Sequence, residues 1–277
     1  MALDEKLFHD ARLSRDNSLS CASCHDLGKG GTDRSRFSVG INGAVGDVNA
    51  PTVFNVGLNI AQFWDGRAKS LEEQAAGPIH NPIEMGSNWD EVMIKLRADQ
   101  DYPELFRRVY TDGISAANIA EAIAVFQRSL VTPNARFDRH LRGEKNQLNR
   151  DELEGYRRFV NLGCASCHQG AAIGGNMFQR FGVMGDYFKD RAPSKADLGR
   201  FNVTGLEEDR HVFKVPSLRN IDVTAPYFHD GSAGSLSDAV RIMGKYQLGK
   251  ELSGEEVRLI VAFLHSLTGE WQGQVLQ

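Results

Sequence analysis

The sequence predicts a mainly α-helical protein with two similar domains and long ordered loops. The first observation is a pentapeptide, Cys-Ala-Ser-Cys-His, which occurs at residues 21–25 and again at residues 164–168. The second is that apolar residues recur at helical spacing, whereas runs typical of strands are almost absent. The third is that stretches rich in Gly, Asp, Asn and Ser, such as residues 26–50, separate these segments and indicate loops.

In the N-terminal half, helical spacing and capping residues predict four helices. The first is short and lies within residues 4–20. Ser70 precedes two glutamates and predicts the start of a second helix, which Gly77-Pro78 is expected to end. Residues 88–98 and 115–130 each place apolar residues on one face and predict the other two helices.

A charged segment, residues 132–149, indicates a boundary between the two predicted domains. It contains Pro133 and Gly143, residues that interrupt regular structure. We therefore expect one domain at residues 1–135 and a second at residues 136–277. The helices expected in the second domain cover residues 151–162, 235–243 and 253–267.

The repeated pentapeptide is the attachment signature of a c-type haem. On a helical turn, two cysteines three positions apart lie on one face, so both sulfurs can reach the vinyl groups of one porphyrin. The histidine that follows is then placed to ligate the iron. The two copies use all four cysteines and predict two covalently attached haem c groups. The residues concerned are Cys21, Cys24, His25, Cys164, Cys167 and His168.

Other uses of the cysteines fit the pattern poorly. The copies start 143 positions apart (164 minus 21), whereas the two knuckles of a zinc ribbon lie about 15–20 residues apart. A thioredoxin-like redox pair belongs beside a βαβ pattern, and no convincing strand is evident near either copy. Disulfides would leave the histidine after each cysteine pair unexplained.

Composition excludes several other classes of protein. The net charge of −4 and the lack of a dense basic run argue against nucleic-acid binding. The longest apolar run, residues 259–264, is too short to span a membrane. Residues 1–4 do not start a signal peptide, because a basic start and an apolar centre are missing. Haem c is normally attached outside the bacterial inner membrane, so we expect a periplasmic protein whose leader is absent from this chain.

With these residues laid out, the chain resembles the bacterial dihaem cytochrome c peroxidases over nearly its whole length. The resemblance rests on the two haem motifs and on further blocks in the same order: residues 49–55, 62–67, 77–78 with 84–85, 215–220 and 225–232. It implies two cytochrome c-like haem domains, an N-terminal one that reacts with peroxide and a C-terminal one that supplies electrons. It also implies reduction of hydrogen peroxide to water, with a small cytochrome c or a copper protein as electron donor.

The resemblance assigns roles to single residues outside the haem motifs. Met243 matches the sixth ligand of the second iron, and a His–Met ligand pair suits an electron store because it closes the iron to substrate. Trp64 matches a tryptophan held between the two haems. Glu84 matches the carboxylate of the peroxide pocket, and Gln74 matches a polar neighbour there. Splitting the O–O bond needs a proton moved between its oxygens, which is work for such a carboxylate.

Three further residues, Asn49, Thr224 and Pro226, match positions that bind a calcium ion between the domains, and oxygen ligands suit that hard cation. Many family members also supply a histidine to the first iron from the loop sixteen residues after the proximal histidine. Here that position is Ile41. We expect an open or water-ligated first iron at rest, and His80 is the rival ligand. Dimers are common in the family, although no interface is evident here.

Two alternative functions stay open at this point. One is a related enzyme that oxidises a protein substrate, which a tyrosine ligand at Tyr246 would favour over Met243. The other is a dihaem electron carrier without peroxide chemistry. The open position at Ile41 and the carboxylate of Glu84 argue against a carrier, since a carrier needs both irons closed.

Overall fold

The computed structural model describes residues 2–192 and 194–277. It confirms a mainly α-helical fold with long, well-ordered loops. The α-helices, in chain order, are α1 Leu3–Phe8, α2 Cys21–Cys24, α3 Leu71–His80, α4 Trp89–Arg97, α5 Tyr102–Val109, α6 Ala116–Ser129, α7 Arg136–Leu141, α8 Arg150–Asn161, α9 Phe201–Thr204, α10 Leu236–Ile242 and α11 Gly254–His265.

The remaining regular structure is short. Two antiparallel pairs of strands are formed by β1 Phe178–Arg180 with β2 Val212–Lys214 and by β3 Glu270–Trp271 with β4 Gln274–Val275. In the first pair Gln179 lies opposite Phe213. Single 3₁₀ turns occur at Ala11–Leu13, Leu27–Lys29, Ile41–Gly43, Val56–Leu58, Cys164–Ser166, Ala196–Leu198, Glu207–Asp209 and Ile221–Val223, and a π-helical turn occurs at Met243–Gln247. No helix of the described residues is long and apolar enough to cross a membrane.

Helix starts follow the capping residues in the sequence. The Ser70 hydroxyl accepts a hydrogen bond from the amide of Glu73 at 3.2 Å and begins α3. Asn88 begins α4 and Ser115 begins α6 in the same way. Each side-chain oxygen satisfies an amide that has no partner inside the helix, which is why these residue types mark helix starts.

One expectation for the N-terminal half is wrong, and one helix was not expected. Gly77-Pro78 does not end α3, which runs on to His80. Proline has no N–H to donate, but only two residues of the helix follow it, and its carbonyl accepts a hydrogen bond from Met85 at 3.1 Å. Helix α5 was not expected; its Tyr102 and Phe106 are completely buried, so tertiary packing stabilises a short and otherwise polar helix.

Equivalent helices pack in the two halves. In the N-terminal half α1 and α3 pack on α6, and in the C-terminal half α8 and α10 pack on α11. The α8–α11 crossing is so close that a Cβ on Gly155 would lie 1.9 Å from the carbonyl oxygen of Leu259. Only glycine fits at this crossing.

The buried apolar clusters follow the same division, with one exception. One large cluster includes Leu7 and Ile123, and another includes Phe137 and Phe263. The exception is the C-terminal tail, whose Leu276 packs with residues of the N-terminal half. The division into domains at residues 135 and 136 stays a prediction.

Candidate haem-binding and peroxide site

The first Cys-Ala-Ser-Cys-His segment forms the short helix α2. Ser20 and Ser23 make reciprocal hydrogen bonds at its start, and the amide of His25 donates to the carbonyl of Cys21 at 3.0 Å. One turn of helix thus brings Cys21 and Cys24 to the same side, as the thioether geometry requires. Burial raises the pKa of the Cys21 thiol to about 12, so the sulfur is neutral before attachment.

His25 is fixed by the loop that follows it. Its ring nitrogen Nδ1 lies 3.3 Å from the carbonyl oxygen of Gly31, which orients the ring and leaves Nε2 for a metal. Burial lowers the pKa of His25, and the nearby carbonyls of Gly31 and Pro51 oppose that shift. The neutral imidazole is the form that binds iron.

The second Cys-Ala-Ser-Cys-His segment forms a 3₁₀ turn at Cys164–Ser166. Burial lowers the pKa of His168 to about 4, against the nearby carbonyls of Ile173 and Pro216. Its Nδ1 atom is buried without a hydrogen bond to any residue of 2–192 or 194–277. In His25 the nearby carbonyl is on the side of Nδ1, so Nε2 is the atom left for a metal in the equivalent segment. Two cysteines and a neutral, buried histidine in each segment fit a covalently bound haem.

Met243 lies where α10 passes into the π-helical turn. Such turns are rare and occur frequently at functional sites. The Met243 side chain is half-buried, and Gly244 packs against Leu252 so closely that a Cβ there would lie 2.7 Å from it. Tyr246 belongs to the same turn and packs edge-on against Tyr187, with 5.2 Å between ring centroids.

Glu84 lies beside the first haem motif. Its carboxylate and that of Asp33 are near enough to Cys24 to raise the pKa of the thiol beyond the effect of burial. Burial also raises the pKa of Glu84, while Asn81 opposes this by donating a hydrogen bond from Nδ2 to Oε1 at 2.7 Å. A half-buried carboxyl held by one amide can carry a proton in either direction.

Ile41 belongs to the loop that covers Glu84. Its amide donates to the Glu84 carbonyl at 2.8 Å, and its side chain is buried. The neighbouring Gly40 approaches so closely that a Cβ there would lie 1.9 Å from the carbonyl oxygen of Ile83. Gln74 lies half-buried on α3, and His80 is exposed with its ring 5.5 Å from that of Trp89. The structure thus joins Ile41 to Glu84 and leaves His80 at the surface.

Trp64 lies where the two halves meet. Its indole Nε1 donates a hydrogen bond to the carbonyl of Asn49 at 2.9 Å, and its own carbonyl accepts one from the amide of Lys214 at 2.8 Å. The ring packs edge-on against that of His229, with 6.5 Å between centroids. The His229 ring is held in turn by Asp197, whose Oδ1 lies 2.7 Å from Nε2.

The residues matched to calcium binding come from both halves. The Asn49 amide donates to the His229 carbonyl at 2.7 Å, which brings Asn49 to the segment that carries Thr224 and Pro226. The Asn49 side chain donates to Ser35 through Nδ2, which leaves its oxygen for a cation. A separate cluster of Asp197, His229 and Asp230 is occupied by its own partners, because Asp230 pairs with Arg191.

A second internal repeat was missed in the sequence. Pro-x-x-x-Asn at residues 51–55 recurs 165 positions later at residues 216–220 (216 minus 51), and Gln-Phe-Trp-Asp-Gly-Arg-Ala at residues 62–68 recurs as Tyr-Phe-His-Asp-Gly-Ser-Ala at residues 227–233. Both copies of the longer segment close with an antiparallel bridge between their first and last residues. Comparison of the chain with itself at this fixed offset would have paired Trp64 with His229 and Asn49 with Lys214.

Known proteins match this chain in sequence and in structure. Residues 1–146 match the family model described as di-haem cytochrome c peroxidase. The chain is 50% identical over 270 residues to the cytochrome c peroxidase Ccp of Escherichia coli, which covers 97% of this chain and 58% of that protein. It is 50% identical over 269 residues to the cytochrome c551 peroxidase of Nitrosomonas europaea, which covers 97% of this chain and 79% of that protein.

A solved structure has the same fold. It is a MauG-like protein associated with microbial copper homeostasis, with a TM-score of 0.87 and 30% sequence identity, covering 97% of this chain and 89% of that one. The present chain spans little more than half the length of the E. coli relative. These similarities confirm the predicted resemblance: the chain belongs to the di-haem cytochrome c peroxidase family.

Proposed function

We propose that this protein reduces hydrogen peroxide to water in the periplasm, with electrons from a small cytochrome c or copper protein. The balanced reaction consumes one peroxide, two electrons and two protons and yields two waters. The observation that carries the proposal is Glu84, a half-buried carboxyl with a raised pKa that lies beside Cys24 of the first haem motif. The relatives named cytochrome c peroxidases support the same activity.

The haem groups would be held by the residues of the two repeated pentapeptides. When bound, the two irons supply the oxidation and reduction chemistry. Burial favours the neutral imidazole of His25 and His168, which is the form that can ligate iron without first losing a proton. Met243, which begins the π-helical turn, would close the second iron to peroxide and raise its reduction potential.

Glu84 would move the proton that O–O cleavage requires. A carboxylate takes the proton from the nearer peroxide oxygen and returns it to the leaving oxygen, which is general acid–base catalysis. Asn81 positions the carboxylate through its hydrogen bond to Oε1. Gln74, on α3, is proposed as the polar neighbour that orients peroxide in the same pocket.

Trp64 would conduct electrons between the two haem sites. It is hydrogen-bonded to a backbone group of each half, through Asn49 and Lys214. This placement supports the role that the family resemblance implies. Calcium is proposed to bind Asn49, Thr224 and Pro226 at the same junction, and metal analysis of the purified protein before and after treatment with EGTA tests it.

The first iron is proposed to be open or water-ligated in the oxidised protein. Ile41 replaces the expected histidine and is buried against the Glu84–Gly86 segment, while His80 packs on Trp89 at the surface. An EPR spectrum of the fully oxidised protein is expected to show a high-spin ferric signal from one haem. Two low-spin signals would contradict this resting state and would favour His80 as ligand.

One rival function has a specific observation in its favour. Tyr246 shares the π-helical turn with Met243, and a tyrosine ligand would suit an enzyme that oxidises a protein substrate. Steady-state turnover of peroxide with a reduced cytochrome separates the alternatives. We expect rapid turnover in the wild type and nearly none after Glu84→Ala. Full activity of that variant would refute the acid–base role, and absence of turnover in the dihaem wild type would refute the peroxidase.

A further inference from the structure

A buried lysine at the junction of the two halves has no partner of opposite charge. Lys214 is only 8% exposed. Among the described residues its ammonium makes neither a hydrogen bond nor an ion pair, and burial is the sole influence on its pKa, which falls to about 8. Burial of a charge without a partner is unfavourable. Such a lysine either gives up its proton or is paired with an anion from outside the chain.

The residues next to Lys214 in sequence contact the segment that contains the second haem motif. Lys214 ends β2, and the next residue, Val215, exchanges backbone hydrogen bonds with the segment that follows the second haem motif, donating to Met177 at 3.0 Å and accepting from Gly175 at 2.7 Å. Two residues after Lys214 comes Pro216, whose carbonyl lies beside the ring of His168. The main chain that carries Lys214 therefore borders the second haem-binding segment.

Comparison of the two copies of the internal repeat shows that Lys214 differs from the equivalent residue of the N-terminal half. At the 165-residue offset, Lys214 corresponds to Asn49, and each precedes the equivalent proline by two residues. The Asn49 side chain finds a partner within the protein, the carbonyl of Ser35 at 2.9 Å. The C-terminal half places a cation at the same position, and no carboxylate of residues 136–192 or 194–277 pairs with it.

We propose that the Lys214 ammonium forms an ion pair with a propionate of the second haem. A c-type haem keeps both propionate carboxylates after its vinyl groups have reacted with cysteine, so it brings the missing anion into the protein. The pair would also lie next to Trp64, because the Lys214 amide donates to the Trp64 carbonyl at 2.8 Å. Lys214 would thus be a positioning residue that holds a propionate near the junction of the two halves.

The ion pair should influence the reduction potential of the second haem. A fixed positive charge favours the reduced iron, which carries one positive charge fewer. Removal of that charge in Lys214→Met should lower the ratio of reduced to oxidised second haem at a fixed potential by about tenfold, or about 59 mV for a one-electron couple. The first haem should change little.

The test is a spectroelectrochemical titration of both haems in the full dihaem protein. Lys214→Arg should keep the wild-type potential. Lys189→Met, which removes an exposed lysine of the same half, measures the general effect of lost charge. The proposal fails if Lys214→Met gives the same potentials as Lys189→Met, or if only the first haem shifts.

A second readout covers the case in which the neutral variant does not take up two haems. Resonance Raman spectra report the propionate bending modes, and Lys214→Arg should shift the band of the second haem, because the guanidinium donates in a different geometry. An unchanged band would refute the pair. The inference rests on the proposed haem attachment, but neither measurement uses peroxide turnover, so its failure is distinguishable from failure of the peroxidase proposal.

Discussion

The backbone amide of Asn49 donates a hydrogen bond to the carbonyl of His229 at 2.7 Å, and so joins the two halves of the chain. The equivalent bond runs the other way, from the amide of Lys214 to the carbonyl of Trp64 at 2.8 Å. At the 165-residue offset these four residues form two matching pairs. The junction therefore has an approximate two-fold character, and each half supplies one donor and one acceptor.

The raised pKa of Glu84 predicts an acidic limb in the pH profile. Glu84 must be ionised to accept a proton, and burial raises its pKa above the ordinary value for a glutamate. We expect kcat/KM for peroxide to rise with pH, with a midpoint above that ordinary value. Glu84→Gln should remove this limb and lower turnover about 10²–10⁴-fold.

The matched control for this measurement is Glu121→Gln, since Glu121 is exposed on α6. It should leave both the rate and the pH profile unchanged. An acidic limb that persists in Glu84→Gln would assign the titration to another group.

Replacement of Trp64 by phenylalanine should slow electron transfer between the haems. The Trp64→Phe change removes the indole and its hydrogen bond to the Asn49 carbonyl, at a cost of about 1 kcal/mol in the free energy of unfolding. Stopped-flow reduction of the second haem, followed by appearance of reduced first haem, measures the transfer. Trp89→Phe, on α4, is the control, and equal rates in the two variants would refute the pathway through Trp64.

Gly40 should be intolerant of any side chain. A Cβ at this position would lie 1.9 Å from the carbonyl oxygen of Ile83, so Gly40→Ala must push the loop away from Glu84. We expect a loss of about 1–3 kcal/mol in stability and reduced peroxide turnover. Gly46→Ala lies in the same loop, where a Cβ makes only ordinary contact with Ser38 at 3.6 Å, and it should be near wild type in thermal unfolding and in turnover.

Thr132 should be important for the stability of the junction between the halves. Its hydroxyl accepts hydrogen bonds from the side-chain amides of Asn55 at 2.8 Å and Asn220 at 3.0 Å, all three residues being buried. Thr132→Val leaves both amides without this partner and should cost about 1–3 kcal/mol. Denaturant unfolding measures it, with exposed Thr111→Val as control. Equal stability of the two variants would contradict the prediction.

Much of the fold was predictable from local chemistry. The pentapeptides predicted haem-binding turns, and Ser70, Asn88 and Ser115 predicted helix starts, because these signals act within a few residues. Helix α5 was not predictable in this way, since its stability depends on burial of Tyr102 and Phe106 against distant segments. The continuation of α3 through Pro78 likewise depends on a contact with Met85.

Single residues of the site were predictable from the sequence, but the contacts between them were not. Glu84 was singled out only through the family resemblance, and its proximity to Cys24 follows from the folded chain. The burial of Lys214 could not be inferred, because lysine side chains are ordinarily exposed. The 165-residue repeat was visible in the sequence, and it would have indicated that Lys214 occupies a special position.

The two reciprocal bonds at the junction are made by main-chain atoms alone. Substitution by any residue other than proline leaves the amide and the carbonyl in place, so both bonds can persist while the side chains around them change. If the two halves exchange electrons as proposed, these bonds would fix the separation of the haems, on which the rate of electron tunnelling depends steeply. The solved relative with 30% identity and a TM-score of 0.87 shows how far sequence can diverge while the architecture persists.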